Sequence, residues 1–467
     1  MVSIKSSKIN PMLKASIYYI IGNAFGQGTI LLGNVIFTRM MRQTDYGIYS
    51  TYYSMVSIFT TIVGANLFVG LNNGYIDYKN DIRNFRSSVL VLSTVIFGGI
   101  TLVCFAGNFL FDFGISTFIL GFALAHAYSF FVVNYYNNSA NMENQYRKKT
   151  FFLIVPNVLQ ILLSVAFILL VKEHGLEARI VGSTLGVAVC AVFLYIPMLK
   201  ESVFFDKEYW CYALKISVPS VLSSISYMLL QQCDKVMITR LYSATENAVY
   251  SLVYYVGYIL YAVLQATSGV WQAWMYRALD TGNIQNMKKV QKWYLFVFGQ
   301  MAFGLYMIAP ELVKVLAPSS YWNLDYVAPF ILGSCLMVMY SFHTGVGMFY
   351  KKSAQVSICV LIAAVVNLIL NYFLIPQYGG VAAAYTSVVA YIILFFISRN
   401  LSRKLNRKLF SDKYFVIFFG AIVGGGIMFQ MLAEYILLRY VVYIIILLSS
   451  LGYMVTRRDE LVQLIKK

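Results

Sequence analysis

Apolar residues in this chain do not alternate with polar ones at the spacing of a half-buried strand or a surface helix; they come in long runs. The runs recur from Ile17 to the neighbourhood of Val455, separated by short polar turns. Each is close to the ~20 residues that a helix needs to cross ~30 Å of hydrocarbon. Setting runs against turns predicts helices over 12–41, 46–74, 87–111, 115–140, 151–172, 177–199, 212–241, 246–276, 291–309, 326–350, 354–375, 380–398, 414–433 and 436–455. The expected fold is all-α and polytopic, with about fourteen transmembrane helices and no sizeable soluble domain.

Composition strengthens this reading. The 467 residues are 60% hydrophobic and only 12% charged, whereas an ordinary soluble domain carries roughly 25% charged residues. The start, MVSIKSSKINPMLK, leads into a full-length apolar segment without a small-residue cleavage site, so the first helix is expected to be retained.

Fourteen spans place alternate connections on opposite sides of the membrane. One side then holds 28 of the 36 lysines and arginines, among them Arg147, Lys148, Lys149 and the cluster from Arg399 to Lys413. The other holds 8: Arg39, Arg42, Lys172, Arg179, Lys235, Arg240, Lys314 and Arg439. The basic side, with both termini, is therefore expected in the cytoplasm. This bias, attracted to anionic membrane lipids, accounts for most of the net charge of +17 without any nucleic-acid partner. The six cysteines lie singly with no CxxC, and His126, His174 and His343 are scattered, so neither a metal site nor a cofactor is expected.

The chain also repeats itself. TRMMRQTDYGIYSTYY, from Thr38 to Tyr53, aligns without gaps on TRLYSATENAVYSLVY, from Thr239 to Tyr254, an offset of 201. Thr38/Thr239, Arg39/Arg240, Thr44/Thr245, Tyr49/Tyr250, Ser50/Ser251 and Tyr53/Tyr254 are identical. YRKKT at Tyr146 returns as FYKKS at Phe349, offset 203, and GLEA at Gly175 returns more weakly as GVAA at Gly380, offset 205. An even number of helices between copies gives both the same orientation. The expected organisation is a six-helix lobe over 1–206, a second over 207–400, a central cavity between them, and a basic linker with two further helices over 401–467.

Such paired lobes, with DYGIYS after the first helix and DKVMITRLYSATENAVYS in the second lobe, resemble the Wzx-type polysaccharide flippases of the multidrug/oligosaccharidyl-lipid/polysaccharide exporter superfamily. The most specific element is Asp234-Lys235-Val236-Met237-Ile238, similar to the family's Asp-Lys-hydrophobic signature; Glu246-Asn247-Ala248 departs from its common acid-aromatic-glycine. The resemblance implies a non-enzymatic flippase of the bacterial cytoplasmic membrane. Such a protein moves undecaprenyl-diphosphate-linked oligosaccharide units outward by alternating access, serving O-antigen, lipopolysaccharide or capsule synthesis. The implied partners are the lipid-linked oligosaccharide, membrane lipids, and a polysaccharide polymerase with its chain-length regulator.

A sugar pyrophosphate headgroup needs a wet, cationic, hydrogen-bonding path. Candidate lining residues form stripes at helical spacing. The seventh predicted helix offers Ser220, Ser224, Tyr227, Gln231 and Lys235, and the first offers Asn23, Gln27 and Asn34. The eighth carries a ladder of Ser251, Tyr254, Tyr258, Tyr261, Gln265, Ser268 and Gln272 ending near Arg277, and the second adds Asn66 and Asn73. Aromatic faces stack on sugar rings, amides match hydroxyls, and Arg277 suits phosphate. Small and polar residues also hold membrane helices together, so the ladder is either cavity lining or interhelical packing.

Three other functions fit a polytopic chain. A membrane-embedded polymerase or ligase would want catalytic groups on a large outer loop, and the longest, about 310–326, lacks histidine. A cation-coupled multidrug exporter would want buried carboxylates, whereas the acids here read as near helix ends. A lipid II flippase is weakened by the absence of arginine from the inner half of the first helix.

Overall fold

The computed structural model describes residues 11–460 except 113, 201–202, 283, 285, 408 and 459; the side chains of 11–21, 23, 24 and 27 are also outside the described part. The described residues form helices and no strand, because a helix satisfies every backbone N–H and C=O internally where no water is available. In chain order the helices are α1 (Pro11–Met40), α2 (Gln43–Val63), α3 (Leu67–Asp77), α4 (Ile82–Phe111), α5 (Thr117–Met142), α6 (Tyr146–Leu170) and α7 (Gly175–Leu199). They continue with α8 (Lys207–Leu241), α9 (Ala244–Asp280), α10 (Met287–Leu316), α11 (Val327–Phe349), α12 (Ser353–Leu405), α13 (Asp412–Leu432) and α14 (Ile436–Thr456).

Twelve segments among the described residues are long and apolar enough to cross a membrane. One of them, α12, has 53 residues and bends at Gly379, whose φ of 62° and ψ of −147° interrupt the helix three residues after Pro376. Only glycine adopts that backbone region freely, and proline removes a helix hydrogen bond. The two helices expected at 354–375 and 380–398 are the two halves of α12, each of spanning length. With both halves of α12 counted and α1, 30 residues long, the described residues hold fourteen helical segments of spanning length, the number expected.

The helix expected at 46–74 is in fact two. It breaks after Val63, where Ala65 and Asn66 take φ of 41° and 50°. Asparagine tolerates this left-handed conformation because its short polar side chain bonds locally. Asn66 donates from Nδ2 to the Ser220 carbonyl at 3.0 Å and to Ser224 Oγ at 2.6 Å. The Asn66 side chain thus ties the break to α8, and Ser217 Oγ of α8 accepts from the Gly70 backbone N–H in the first turns of α3 at 3.1 Å.

The chain divides into two compact units, Met1–Met228 and Leu229–Lys467. In the first, α6 and α7 pack with their backbones nearly touching: a Cβ added to Gly182 or Gly186 would stand 2.5 Å from the Ser164 or Gln160 backbone. Small residues permit such approach, and dispersion then supplies the attraction that apolar burial cannot supply in lipid. In the second unit, α13 and α14 are fastened to α10 by polar bonds. Gln291 exchanges two hydrogen bonds with the Ser411 backbone, at 3.0 and 2.8 Å. Arg439, fully buried, donates to the Met307 carbonyl at 2.5 Å and to both Glu311 oxygens at 3.1 and 2.6 Å. A guanidinium at that depth is tolerable because Glu311 meets its charge and accepts, with the Met307 carbonyl, from its two terminal nitrogens.

Candidate functional site

The richest polar cluster of the second unit lies where α8, α9 and both halves of α12 meet. Asp234 is buried, seven residues inside the end of α8. It accepts hydrogen bonds from the Tyr250 hydroxyl at 2.7 Å, Ser387 Oγ at 2.6 Å and Asn371 Nδ2 at 2.6 Å. Asn371 in turn accepts from Thr386 and donates to Asn367 Oδ1 at 3.3 Å, and Asn367 donates to Ser387 Oγ at 3.2 Å. The expectation that acids stay near helix ends fails here. The carboxylate is kept inside the membrane-spanning region by converging hydroxyl and amide donors.

Those donors come from opposite sides of the α12 bend. Asn367 and Asn371 are one turn apart before Gly379, and Thr386 and Ser387 lie two turns after it. The signal of the first pair in the sequence is two asparagines at i, i+4 spacing within a largely apolar run.

Next to this hub the tyrosines of α9 form a wall. Tyr254 donates to Gln231 Oε1 at 3.1 Å, and Lys235 Nζ stands 4.7 Å from the Tyr254 ring centre, within cation–π range. The rings of Tyr254, Tyr258 and Tyr261 follow one another at 5.9 and 5.5 Å, and Gln265 donates to the Tyr261 hydroxyl. A cavity of about 30 Å³ opens among Gln231, Asp234, Tyr254, Tyr258, Ser387 and Tyr391, room for about one water.

The ladder expected on this helix therefore changes character along its length. Ser251 is buried and bonded to Asn247 Oδ1 at 3.0 Å. Tyr254, Tyr258 and Tyr261 are half-buried at the cavity, while Gln265, Gln272 and Arg277 are exposed. Arg277 Nε bonds the Ala273 carbonyl of its own helix at 3.3 Å.

The described candidates of the first unit, Asn34, Asn66 and Asn73, do not form one site. Asn34 is buried and accepts from the Tyr46 hydroxyl at 2.8 Å. Asn66 is buried in the α2–α3 break, whereas Asn73 is exposed and bonds the Val69 carbonyl at 2.9 Å, so the two share no continuous stripe. The side chains of Asn23 and Gln27 fall outside the described residues.

The first unit holds a feature that sequence reasoning missed, having counted Arg179 only as an outer-side charge. Its guanidinium is buried, 4.0 Å from the Phe37 ring centre and 3.6 Å from that of Tyr49, and it donates to Met41 Sδ at 3.5 Å. Of the histidines, His126 is buried and hydrogen-bonded to Tyr52 at 2.9 Å, and His343 is packed among the rings of Phe395, Phe410 and Phe415. Among the described residues no three His, Cys, Asp or Glu side chains converge as metal ligands.

Comparison with known proteins gives consistent results. The profile of the family described as polysaccharide biosynthesis protein matches residues 12–275. Protein 1 of the Lsg locus of Haemophilus influenzae is 22% identical over 412 residues, covering 84% of this chain and all of that one. Among solved structures, the lipid II flippase MurJ in an inward closed conformation superimposes with a TM-score of 0.66 at 15% identity, over 96% of this chain and 99% of that one. An inward-facing multidrug resistance transporter of the MATE family, in the MOP superfamily, follows with 0.58 at 15% identity, over 81% and 99%. At such identities these two likenesses concern the fold.

Proposed function

The chain belongs to the polysaccharide biosynthesis protein family, and from that premise we propose that it is a flippase carrying undecaprenyl-diphosphate-linked oligosaccharide units across the bacterial cytoplasmic membrane. In this reading the basic side and both termini face the cytoplasm, the two repeated lobes alternate access to a shared path, and no covalent chemistry occurs. The product passes to a polysaccharide polymerase and its chain-length regulator.

The observation that carries the reading is the exposed polar half of α9. Gln265, Gln272 and Arg277 stand exposed on a helix long and apolar enough to span. Gln265 gives one bond to Tyr261, but each amide donor or acceptor left unmet in hydrocarbon costs roughly 1–3 kcal/mol. Such a surface is stable against water or a polar ligand. Amides and a guanidinium on it suit sugar hydroxyls and pyrophosphate, and the tyrosines deeper on the same helix suit sugar rings.

The test is reconstitution. Proteoliposomes loaded on one leaflet with a fluorescent undecaprenyl-diphosphate oligosaccharide should expose it to an added glycosidase on the other leaflet, well above protein-free vesicles. Equal rates with and without protein would overturn the assignment.

Asp234 favours a second reading, a cation-coupled exporter of small amphipathic molecules, because a buried carboxylate surrounded by neutral donors is a means of coupling charge to movement. Drug resistance conferred on a sensitive host and lost in Asp234→Asn, with no oligosaccharide transfer in vesicles, would select it.

A further inference from the structure

A second cavity, distant in sequence from the tyrosine wall, lies between α11, α12 and α13 and has a volume of about 330 Å³, within the range of sites that hold small ligands. Leu336 and Met339 of α11 form its floor, Ile392 and Phe396 of α12 one wall, and Val416 and Phe419 of α13 the other. Leu336 and Met339 are buried, whereas Phe396 is 53% and Val416 70% exposed, so the cavity is an apolar trough open along its rim. Its lining on α12 runs from Ile392 to Arg399 and on α13 from Asp412 to Phe419. Each wall is two helical turns, about 10 Å long.

One end of the trough is polar. Arg399 holds Asp412 by two hydrogen bonds of 2.8 and 2.6 Å, and Arg403 Nη1 lies 3.2 Å from the same carboxylate. This fastens the end of α12 to the start of α13 and consumes the one acidic side chain of the stretch 399–413, which carries six basic residues. Arg403, beside Asp412, and Lys404, Arg407 and Lys413 of the same stretch are exposed.

We propose that this trough is a binding site for an anionic two-chain phospholipid, one acyl chain lying between α12 and α13 and the phosphate meeting Arg403 and Lys413. Charge complementarity selects this occupant. A neutral lipid would fill the apolar part equally well but leave the basic end without a counter-charge, and basic pockets between membrane helices attract anionic headgroups. Each methylene removed from water or from a poorly packed void adds dispersion contact, and the lipid closes a gap where α13 leaves α12. The proposal does not depend on what the protein transports.

The experiment is native mass spectrometry on delipidated, detergent-solubilised full-length protein, with dioleoylphosphatidylglycerol, dioleoylphosphatidylcholine and undecaprenyl phosphate as probes. Wild type should retain the first lipid at least tenfold more tightly than the second. The double variant Arg403→Gln, Lys413→Gln should bring that ratio to within twofold. Val416→Trp, at an exposed rim position that leaves the core intact, should lower retention of phosphatidylglycerol at least fivefold while thermal unfolding of the lipid-free protein stays unchanged. Equal retention of both phospholipids by wild type would overturn the proposal. So would an unchanged ratio in the charge variant, or displacement of phosphatidylglycerol by equimolar undecaprenyl phosphate, which would make the trough a polyprenyl site.

Discussion

Tyr49 and Tyr250 occupy the same position in the two copies of the repeat, yet they meet opposite charges. In the first unit the ring face of Tyr49 covers the Arg179 guanidinium at 3.6 Å. In the second the hydroxyl of Tyr250 donates to Asp234 at 2.7 Å. The surroundings follow suit. The α6–α7 crossing, with Gly182 and Gly186 against backbone, is close and carries the bond from Ser164 Oγ to the Arg179 carbonyl at 3.3 Å, whereas its counterpart across the α12 bend carries Asn367, Asn371, Thr386 and Ser387. By the repeat offsets, Gly182 corresponds to Ser387 and Ser164 to Asn367. One ancestral helix pairing thus supports both a packed contact and a hydrogen-bonded hub. A cation is stabilised by π faces, an anion by O–H and N–H donors.

The strongest way to break the comparison is at the hub. Asp234→Leu leaves Tyr250, Ser387 and Asn371 short of an acceptor, each at about 1–3 kcal/mol. Thermal unfolding in detergent should then show the largest loss in the set. A variant as stable as wild type would mean that the cluster is not what holds α8, α9 and α12 together.

Gly182→Val comes next, because two methyls must enter where even a Cβ lacks space; overpacking costs about 1–3 kcal/mol. Ser387→Gly, the reverse exchange at the matching position, should cost less because it removes bonds without forcing backbones apart. Should the two unfold at the same temperature, the contrast between a packed and a polar crossing fails.

Arg179→Lys should lower stability by about 1–2 kcal/mol, since an ammonium is more strongly hydrated and cannot stack between Phe37 and Tyr49. Tolerance of lysine with no change in melting temperature would show that charge alone suffices in the first unit.

The sharpest pair is the tyrosines themselves. Tyr250→Phe loses a hydrogen bond to a carboxylate, worth about 1.5–3 kcal/mol, while Tyr49→Phe keeps the ring over Arg179 and should stay within about 0.5 kcal/mol of wild type. Equal effects would erase the distinction.

Smallest on stability, and confined to transport, are Tyr258→Phe and Gln265→Ala. The glycosidase assay should slow for both while melting is unchanged within about 0.5 kcal/mol. Destabilisation with unchanged transport per folded molecule would return the ladder to interhelical packing.

The sequence by itself determined the number of crossings, the charge bias and the repeat, because each depends on local properties: the length of an apolar run, the residues between runs, and similarity at a fixed offset. It also marked many of the side chains too polar for lipid, though not Asn367, Asn371 or Arg179. Tertiary structure decided what each of those is paired with. Asn371 reaches Asp234 across 137 residues, Glu311 meets Arg439 across 128, and Asn66 closes a helix break with serines of α8. A polar group in a membrane must be satisfied, but any neighbouring helix can satisfy it. Helical spacing fixes the face on which a residue lies, and only packing fixes which helix that face meets.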